Sequence, residues 1–254
     1  MSEYRRIRKL ERWEKEADRE ALIGTRRLSF ARPPAADARP GPPGPGSMPA
    51  VSTHVTATRG SPLNLGIYIY DDAEVLDFSG PFEVFSTAKR LAQADWNIFL
   101  LAETAGPVQA RGGFPVCPHF TIDDHPPIDV LLVAGGIHTG ELEKPAVIEW
   151  IANVASSAER VASVCTGAFL LAEAGRLDGL PVTTHWEDIP NLKARYPALE
   201  VLENQRWVNR GNTTTSGGIS AGIDMSLFLV SELASPELAE RTARQMEYRW
   251  QKQP

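Results

Sequence analysis

Val161-Ala162-Ser163-Val164-Cys165-Thr166-Gly167-Ala168-Phe169-Leu170-Leu171 changes character at its centre. Val161–Val164 has the short apolar texture of a buried strand, and Thr166–Ala174 reads as a helix stopped by Gly175. Small residues on both sides of Cys165 let the chain make the tight strand-to-helix turn known as a nucleophile elbow, which lifts one side chain clear of the backbone. A thiol there meets the positive end of a helix dipole and free N–H groups, both of which favour thiolate. Cysteines are commonly buried and inert, so the turn, rather than the residue type, makes Cys165 a candidate nucleophile. Cys117, beside Pro118 in an irregular stretch, has no such setting and reads as structural.

Outward from this turn, strand and helix signals alternate. Upstream lie a strand over Leu65–Tyr70 ending at Asp71-Asp72, and a helix opened by Ser79-Gly80-Pro81 with proline in its first turn. A strand follows over Asn97–Ala102, then a hairpin or excursion over Val108–Ile122. Next come a buried strand over Ile128–Ala134 closed by Gly135-Gly136, and a helix over Ala146–Ala155. Downstream, strands are expected over Pro181–Thr184, Leu199–Val208 and Thr213–Ser216. Helices are expected over Ile189–Tyr196, Ser220–Leu233 and Pro236–Trp250. Such alternation implies an α/β fold with a mainly parallel sheet covered on both faces, and ligands at the C-terminal ends of its strands.

The N-terminal part is different in kind. Arg5–Ala21 reads as a charged, weakly amphipathic helix, and Pro33–Pro49 carries seven prolines with interleaved glycines, which cannot pack a core. This divides the chain into a basic, peripheral helical tail (1–32), a Pro/Gly-rich linker (33–60) and a globular domain (61–254). Met48 ends the proline-rich stretch, so residues 1–47 are expected to be a tail outside the working domain or an upstream start that is seldom used; an intact mass showing only full-length chain overturns the second option. Residues 1–47 hold 11 Lys and Arg against 7 Asp and Glu, a net of +4, which leaves −10 on the remainder of a chain whose net charge is −6. An acidic domain is a poor partner for phosphate backbones, so no nucleic-acid binding is expected. No apolar run is long enough for a membrane span, and the N-terminus has no signal-peptide core. Two cysteines 48 positions apart form no disulfide framework, and no Cys/His spacing reads as a zinc site. A reducing cytoplasm is the expected home.

Four points fall after strands and converge on one sheet edge: Asp77, Gly135-Gly136, Cys165 and His185. Asp77 reads equally as a turn-forming aspartate or as a carboxyl moving protons at the thiol, in which case burial raises its pKa. Gly135-Gly136 is either a plain turn or a source of free N–H groups that steady developing negative charge. His185 is a candidate base ranked below Asp77, since strand-end histidines are more often structural. Specificity is assigned to loops around Phe78, Phe82, His138–Leu142 and Trp186.

Five segments together resemble the ThiJ/PfpI superfamily, which shares the class I glutamine amidotransferase-like fold. They are Asp77-Phe78-Ser79-Gly80-Pro81-Phe82-Glu83-Val84-Phe85, Val133-Ala134-Gly135-Gly136, Ser163 to Leu171, Thr183-Thr184-His185-Trp186 and Gly218-Ile219-Ser220-Ala221-Gly222-Ile223-Asp224-Met225. The match spans about residues 63–250, and is most similar to the isonitrile (isocyanide) hydratase branch and the N-terminal domain of AraC-type regulators. It implies a flavodoxin-like three-layer sandwich, usually a homodimer, acting on a small molecule without a cofactor. By this resemblance Cys165 is the nucleophile, Asp77 the acid/base and Thr166 a positioning neighbour, while Gly80 joins Gly135 and Gly136 around the substrate and oxyanion. Ala134 stands where the family more often has proline. The implied activity is hydration of an isocyanide to an N-substituted formamide, a lyase reaction. The alternatives are a small-molecule or redox sensor lacking the DNA-binding part of AraC-type relatives, and glyoxalase-like hydration of α-oxoaldehydes.

Overall fold

The computed structural model describes residues 62–253; the expected N-terminal helix and linker lie outside them. Its framework is a seven-stranded sheet. In chain order the elements are β1 (Leu63–Tyr68), α1 (Val75–Ala92), β2 (Trp96–Ala102), β3 (Val108–Ala110), β4 (Phe114–Val116), β5 (Phe120–Thr121) and β6 (Val130–Val133). There follow α2 (Thr139–Leu142), α3 (Pro145–Ser157), β7 (Arg160–Val164), α4 (Gly167–Glu173), β8 (Pro181–Val182) and α5 (Ile189–Arg195). Last come β9 (Glu200–Val201), β10 (Trp207–Arg210), β11 (Thr213–Ser216), α6 (Ala221–Leu233) and α7 (Pro236–Gln245).

The main sheet runs β10-β11-β7-β6-β1-β2-β5, parallel except for the β10–β11 edge pair. Its central strands are sealed on both faces: β6 is buried throughout, as is β1 apart from Asn64. That explains why they read as continuous apolar runs rather than alternating ones. Helices α1, α6 and α7 pack on one another, and α3 packs on α4. From β1 the chain builds outward through β2 and β5, then restarts at β6 and builds the other way through β7 and β11. The order therefore reverses between β1 and β6, and a crevice at the C-terminal strand ends follows from that reversal.

Several expected boundaries shift for physical reasons. Helix α1 begins at Val75, so Pro81 lies inside it rather than in its first turn. Proline there leaves the Asp77 carbonyl without its usual intrahelical donor, and Ser79 Oγ donates to the Val75 carbonyl at 2.7 Å. The excursion over Val108–Ile122 is a small hairpin, β3 with β4, followed by β5 on the sheet edge. Only Pro181–Val182 of the expected Pro181–Thr184 strand pairs, and it pairs with β9 outside the main sheet. Thr183 N donates to Thr215 Oγ1 instead, and Thr184 Oγ1 to the Cys165 carbonyl. The single strand expected over Leu199–Val208 is broken between β9 and β10, where Asn204 adopts a left-handed φ of 58°. Helix α7 stops at Gln245, because the residues after it are drawn onto buried Asp224. That carboxylate accepts from Arg206 and from the Tyr248 hydroxyl (3.1 Å) and the Gln251 N–H (2.9 Å).

Candidate active site

Cys165 occupies the turn between β7 and α4 at φ 56°, a left-handed conformation uncommon for a residue with a side chain. Such strain persists only where the surroundings fix it. Here the Cys165 N–H points at the carbonyls of Ser216 (3.2 Å) and Gly217 (3.3 Å), and its own carbonyl accepts from Thr184 Oγ1 at 2.8 Å. Gly167 admits helix α4: a Cβ there would lie 2.3 Å from the Val133 carbonyl oxygen.

Asp77 is fully buried in the first turn of α1 rather than at the end of β1. Its Oδ2 accepts from the Gly135 N–H at 3.2 Å, whereas Oδ1 is sealed from solvent without a hydrogen-bond partner. Gly135 is the junction of the site. A Cβ at this position would stand 2.7 Å from each of Asp77 Oδ2, Cys165 Cβ and Thr166 N. Only glycine lets thiol, carboxyl and turn approach so closely.

Burial pushes the Asp77 carboxyl up to about 7, with the Glu74 carboxylate adding to the push. The Gly135 N–H, the Cys165 thiol and the Ile219 N–H act against it. The raised value expected from sequence is therefore present, and its main cause is desolvation. Cys165 goes against expectation. Burial and the Asp77 charge drive its pKa upward, and the Thr166 N–H and hydroxyl only partly offset this. The helix terminus does not make a free thiolate, because at a residue only 7% exposed the lost hydration outweighs what one turn of dipole contributes. At neutral pH the resting pair is a thiol beside a carboxyl poised between its two protonation states.

The expected oxyanion groups are also rearranged. The Gly135 N–H is engaged by Asp77, and the Gly136 N–H donates to Thr166 Oγ1 at 2.8 Å. Thr166 Oγ1 in turn donates to the Gly136 carbonyl at 2.8 Å. These glycines shape the site and hold its side chains, while the N–H directed at the sulfur is that of Thr166. Gly80 lies elsewhere: it is buried in α1, where an added Cβ would sit 3.0 Å from Ile223 of α6, so it serves helix packing.

A cleft of about 400 Å³ opens above the sulfur, lined by Cys165, Thr166, Gly136 and His185. His185 is packed so tightly on Gly218 that a Cβ there would fall 2.0 Å from the imidazole. Its Nδ1 is 3.6 Å from Asp188 Oδ2. Sequence reasoning missed Glu74, Arg111, Ile137, Glu187 and Asp188, which complete the lining with Ile219. Arg111 arrives from the β3–β4 connection and faces Glu74 at 3.7 Å. Ile219, at φ 55°, is a left-handed β-branched residue directly after Gly218, in the last of the segments that carry the resemblance. Phe78 is buried and Phe82 stacks on His119 at 6.2 Å, so neither lines the cleft. Trp186, 74% exposed, lines a neighbouring cavity of about 410 Å³.

A parallel α/β sandwich carrying a strained cysteine at a strand-to-helix turn, with a buried carboxyl against it, defines the class of elbow-cysteine proteins. The chain belongs to the DJ-1/PfpI family, whose model matches residues 66–232. It is 34% identical to the isonitrile hydratase of Pseudomonas putida over 190 residues, 73% of this chain and 78% of that protein. It is 29% identical over 171 residues to the HTH-type transcriptional regulator CdhR of Pseudomonas aeruginosa, covering 67% of this chain and 51% of the regulator. The chain thus spans about half the length of that regulator. Among solved structures, a ThiJ/PfpI family protein from Pseudomonas syringae superposes with a TM-score of 0.67 at 25% identity, covering 78% of this chain and 83% of that one.

Proposed function

We propose that the chain is a cysteine-nucleophile enzyme that hydrates an isocyanide to an N-substituted formamide. The observation that carries this reading is the Asp77–Gly135–Cys165 junction, where a carboxyl held near 7 lies against a strained thiol. Likeness to an isonitrile hydratase names the substrate class. In the proposed sequence, the Cys165 sulfur adds to the terminal isocyanide carbon while its proton passes through Asp77 to that carbon, giving a thioimidate. Water then adds to the same carbon, Asp77 taking one of its protons and handing it to the nitrogen, and the remaining hydroxyl proton passes through Asp77 to sulfur as the C–S bond breaks. Breaking the C–S bond releases the formamide and returns the thiol. Two easier additions replace one difficult hydration, and a carboxyl near 7 can serve as both base and acid. Thr166 positions the bound group through its N–H, and His185 borders the cleft together with Glu74 and Arg111 as a secondary acid/base candidate.

Chromatographic detection of formamide from a panel of isocyanides tests the reading, with methylglyoxal and small amides in parallel. Isocyanide turnover supports it; turnover of methylglyoxal alone moves the assignment to glyoxalase-like hydration. A second reading, a small-molecule or redox sensor, draws on the regulator relatives. Stoichiometric oxidation of Cys165 without turnover of any substrate favours that one. A cytoplasmic homodimer without nucleic-acid binding belongs to the proposal too, and light scattering on the purified chain tests its assembly.

A further inference from the structure

The cavity of about 410 Å³ beside the substrate cleft falls within the range of about 300–1,000 Å³ usual for small-molecule sites. It shares one thin wall with the cleft. Along the segment leaving β8, Thr184 and Trp186 line this second cavity, while His185 and Glu187 line the cleft. Across from them, Gly217 and Gly218 belong to the second cavity and Ile219 to the cleft. The His185 imidazole closes the gap, since an added Cβ at Gly218 would fall 2.0 Å from it. The second cavity also reaches the back of the elbow. Thr184 Oγ1 donates to the Cys165 carbonyl at 2.8 Å, and the Gly217 carbonyl faces the Cys165 N–H at 3.3 Å. Two of the residues that hold Cys165 in its left-handed turn therefore line this cavity and not the cleft.

The lining suits an uncharged, flat molecule. Exposed Trp186 supplies an aromatic ring, with Ile189, Pro190 and Ala221 as further apolar surface. The connection between β9 and β10 adds the side-chain amides of Asn204 and Gln205, which have no hydrogen-bond partner among the described residues. The charges are already matched: Arg206 by buried Asp224, and Glu203 by Lys193 at 2.6 Å. A charged ligand would have to compete with one of these pairs, whereas a ring bearing one amide needs only the groups left over. We propose that this second cavity binds a small neutral molecule carrying a flat apolar ring and an amide, and that its occupant tightens the hold of Thr184 and Gly217 on Cys165. The site is distinct from the cleft, so the inference stands whether or not Cys165 turns over an isocyanide. With Cys165 only 7% exposed, a reagent reaches its sulfur as the elbow moves outward. A ligand resting on Thr184 and Gly217 opposes that movement, and the sulfur reacts more slowly.

Benzamide is the probe, with benzoate and benzylammonium as its charged counterparts. In nitrogen-15 spectra the Trp186 indole N–H, assigned by its absence from Trp186→Phe, should shift saturably with benzamide. The two charged probes should bind about ten-fold more weakly. The shift should persist once Cys165 has been alkylated with iodoacetamide, which fills the cleft. Saturating benzamide should slow alkylation of unmodified Cys165, followed by peptide mass, about three-fold or more. Trp186→Ala should make that rate indifferent to benzamide, and the side chain is exposed enough for its removal to leave the core untouched. No saturable shift up to about 20 mM, the reach of a fragment this size, overturns the site. A shift that disappears on alkylation places benzamide in the cleft and also overturns it. Equal binding of benzoate or benzylammonium overturns the neutral ligand class, and an unchanged or faster alkylation at saturation overturns the coupling to Cys165.

Discussion

Replacing Asp77 with asparagine should change how stability depends on pH, by an amount the site itself sets. In the unfolded chain this carboxyl titrates near its ordinary value of about 3.9; folded, it is held up to about 7. Between those values the unfolded chain has released the proton and the folded chain retains it. Stability therefore falls as pH rises through that window, and the loss is complete above the folded value. Three units at about 1.4 kcal/mol each bring the total to about 4 kcal/mol. Because the side chain is fully buried, little of this is screened by solvent. Urea melts of wild type and Asp77→Asn at about pH 5 and about pH 8 test the magnitude. Asparagine does not titrate, so its own hydrogen-bond mismatch is a constant offset between the two conditions. The wild type should lose about 2–3 kcal/mol relative to the variant between those pH values. A constant difference would show that Asp77 is already ionised at low pH and would refute the proton-holding role assigned to it.

Gly135→Ala would drive a methyl group into Asp77, Cys165 and Thr166 at 2.7 Å each. It should destabilise the fold by about 1–3 kcal/mol, and slow Cys165 alkylation by roughly 100-fold as the pair is pried apart. Alkylation of wild-type Cys165 should rise with pH through a midpoint near 7, the value held by Asp77; in Asp77→Asn that midpoint should vanish, leaving reactivity only at much higher pH. Thr184→Val removes the 2.8 Å donor to the Cys165 carbonyl and should cost about 1 kcal/mol in a thermal or urea melt. Asp224→Ala leaves Arg206 and the segment after α7 without their common acceptor. It should cost about 3–5 kcal/mol, with amide exchange accelerating after Gln245.

The elbow and the parallel sheet were legible in the sequence because both are local: apolar runs, small residues around Cys165 and a glycine stop each act over a few positions. Asp77 and Gly135 could be nominated but not paired, since the bond between them joins the first turn of α1 to the end of β6, 58 residues away in the chain. That same bond removed the free N–H assigned to Gly135, and the Thr166 hydroxyl removed that of Gly136. Pro81 points to the wrong helix start because the preference for proline in a first helical turn is statistical, and α1 tolerates it one turn further in. Arg111 and Ile137 carry no motif and come to the cleft only through the folding of the β3–β4 connection and the loop after β6. The pKa of Cys165 was misjudged for a related reason: the dipole is readable from a strand-to-helix turn, but the depth of burial that outweighs it is not.

Covalent trapping gives the most direct test of the central claim that Cys165 is the group attacking substrate. Mixing the wild-type chain with an isocyanide, quenching in acid during turnover and digesting should place one added isocyanide mass on the peptide containing Cys165. Wild type should show the adduct only transiently and release formamide, and Cys165→Ala should do neither. Formamide production by Cys165→Ala at the wild-type rate, or an adduct confined to Cys117, would contradict the account.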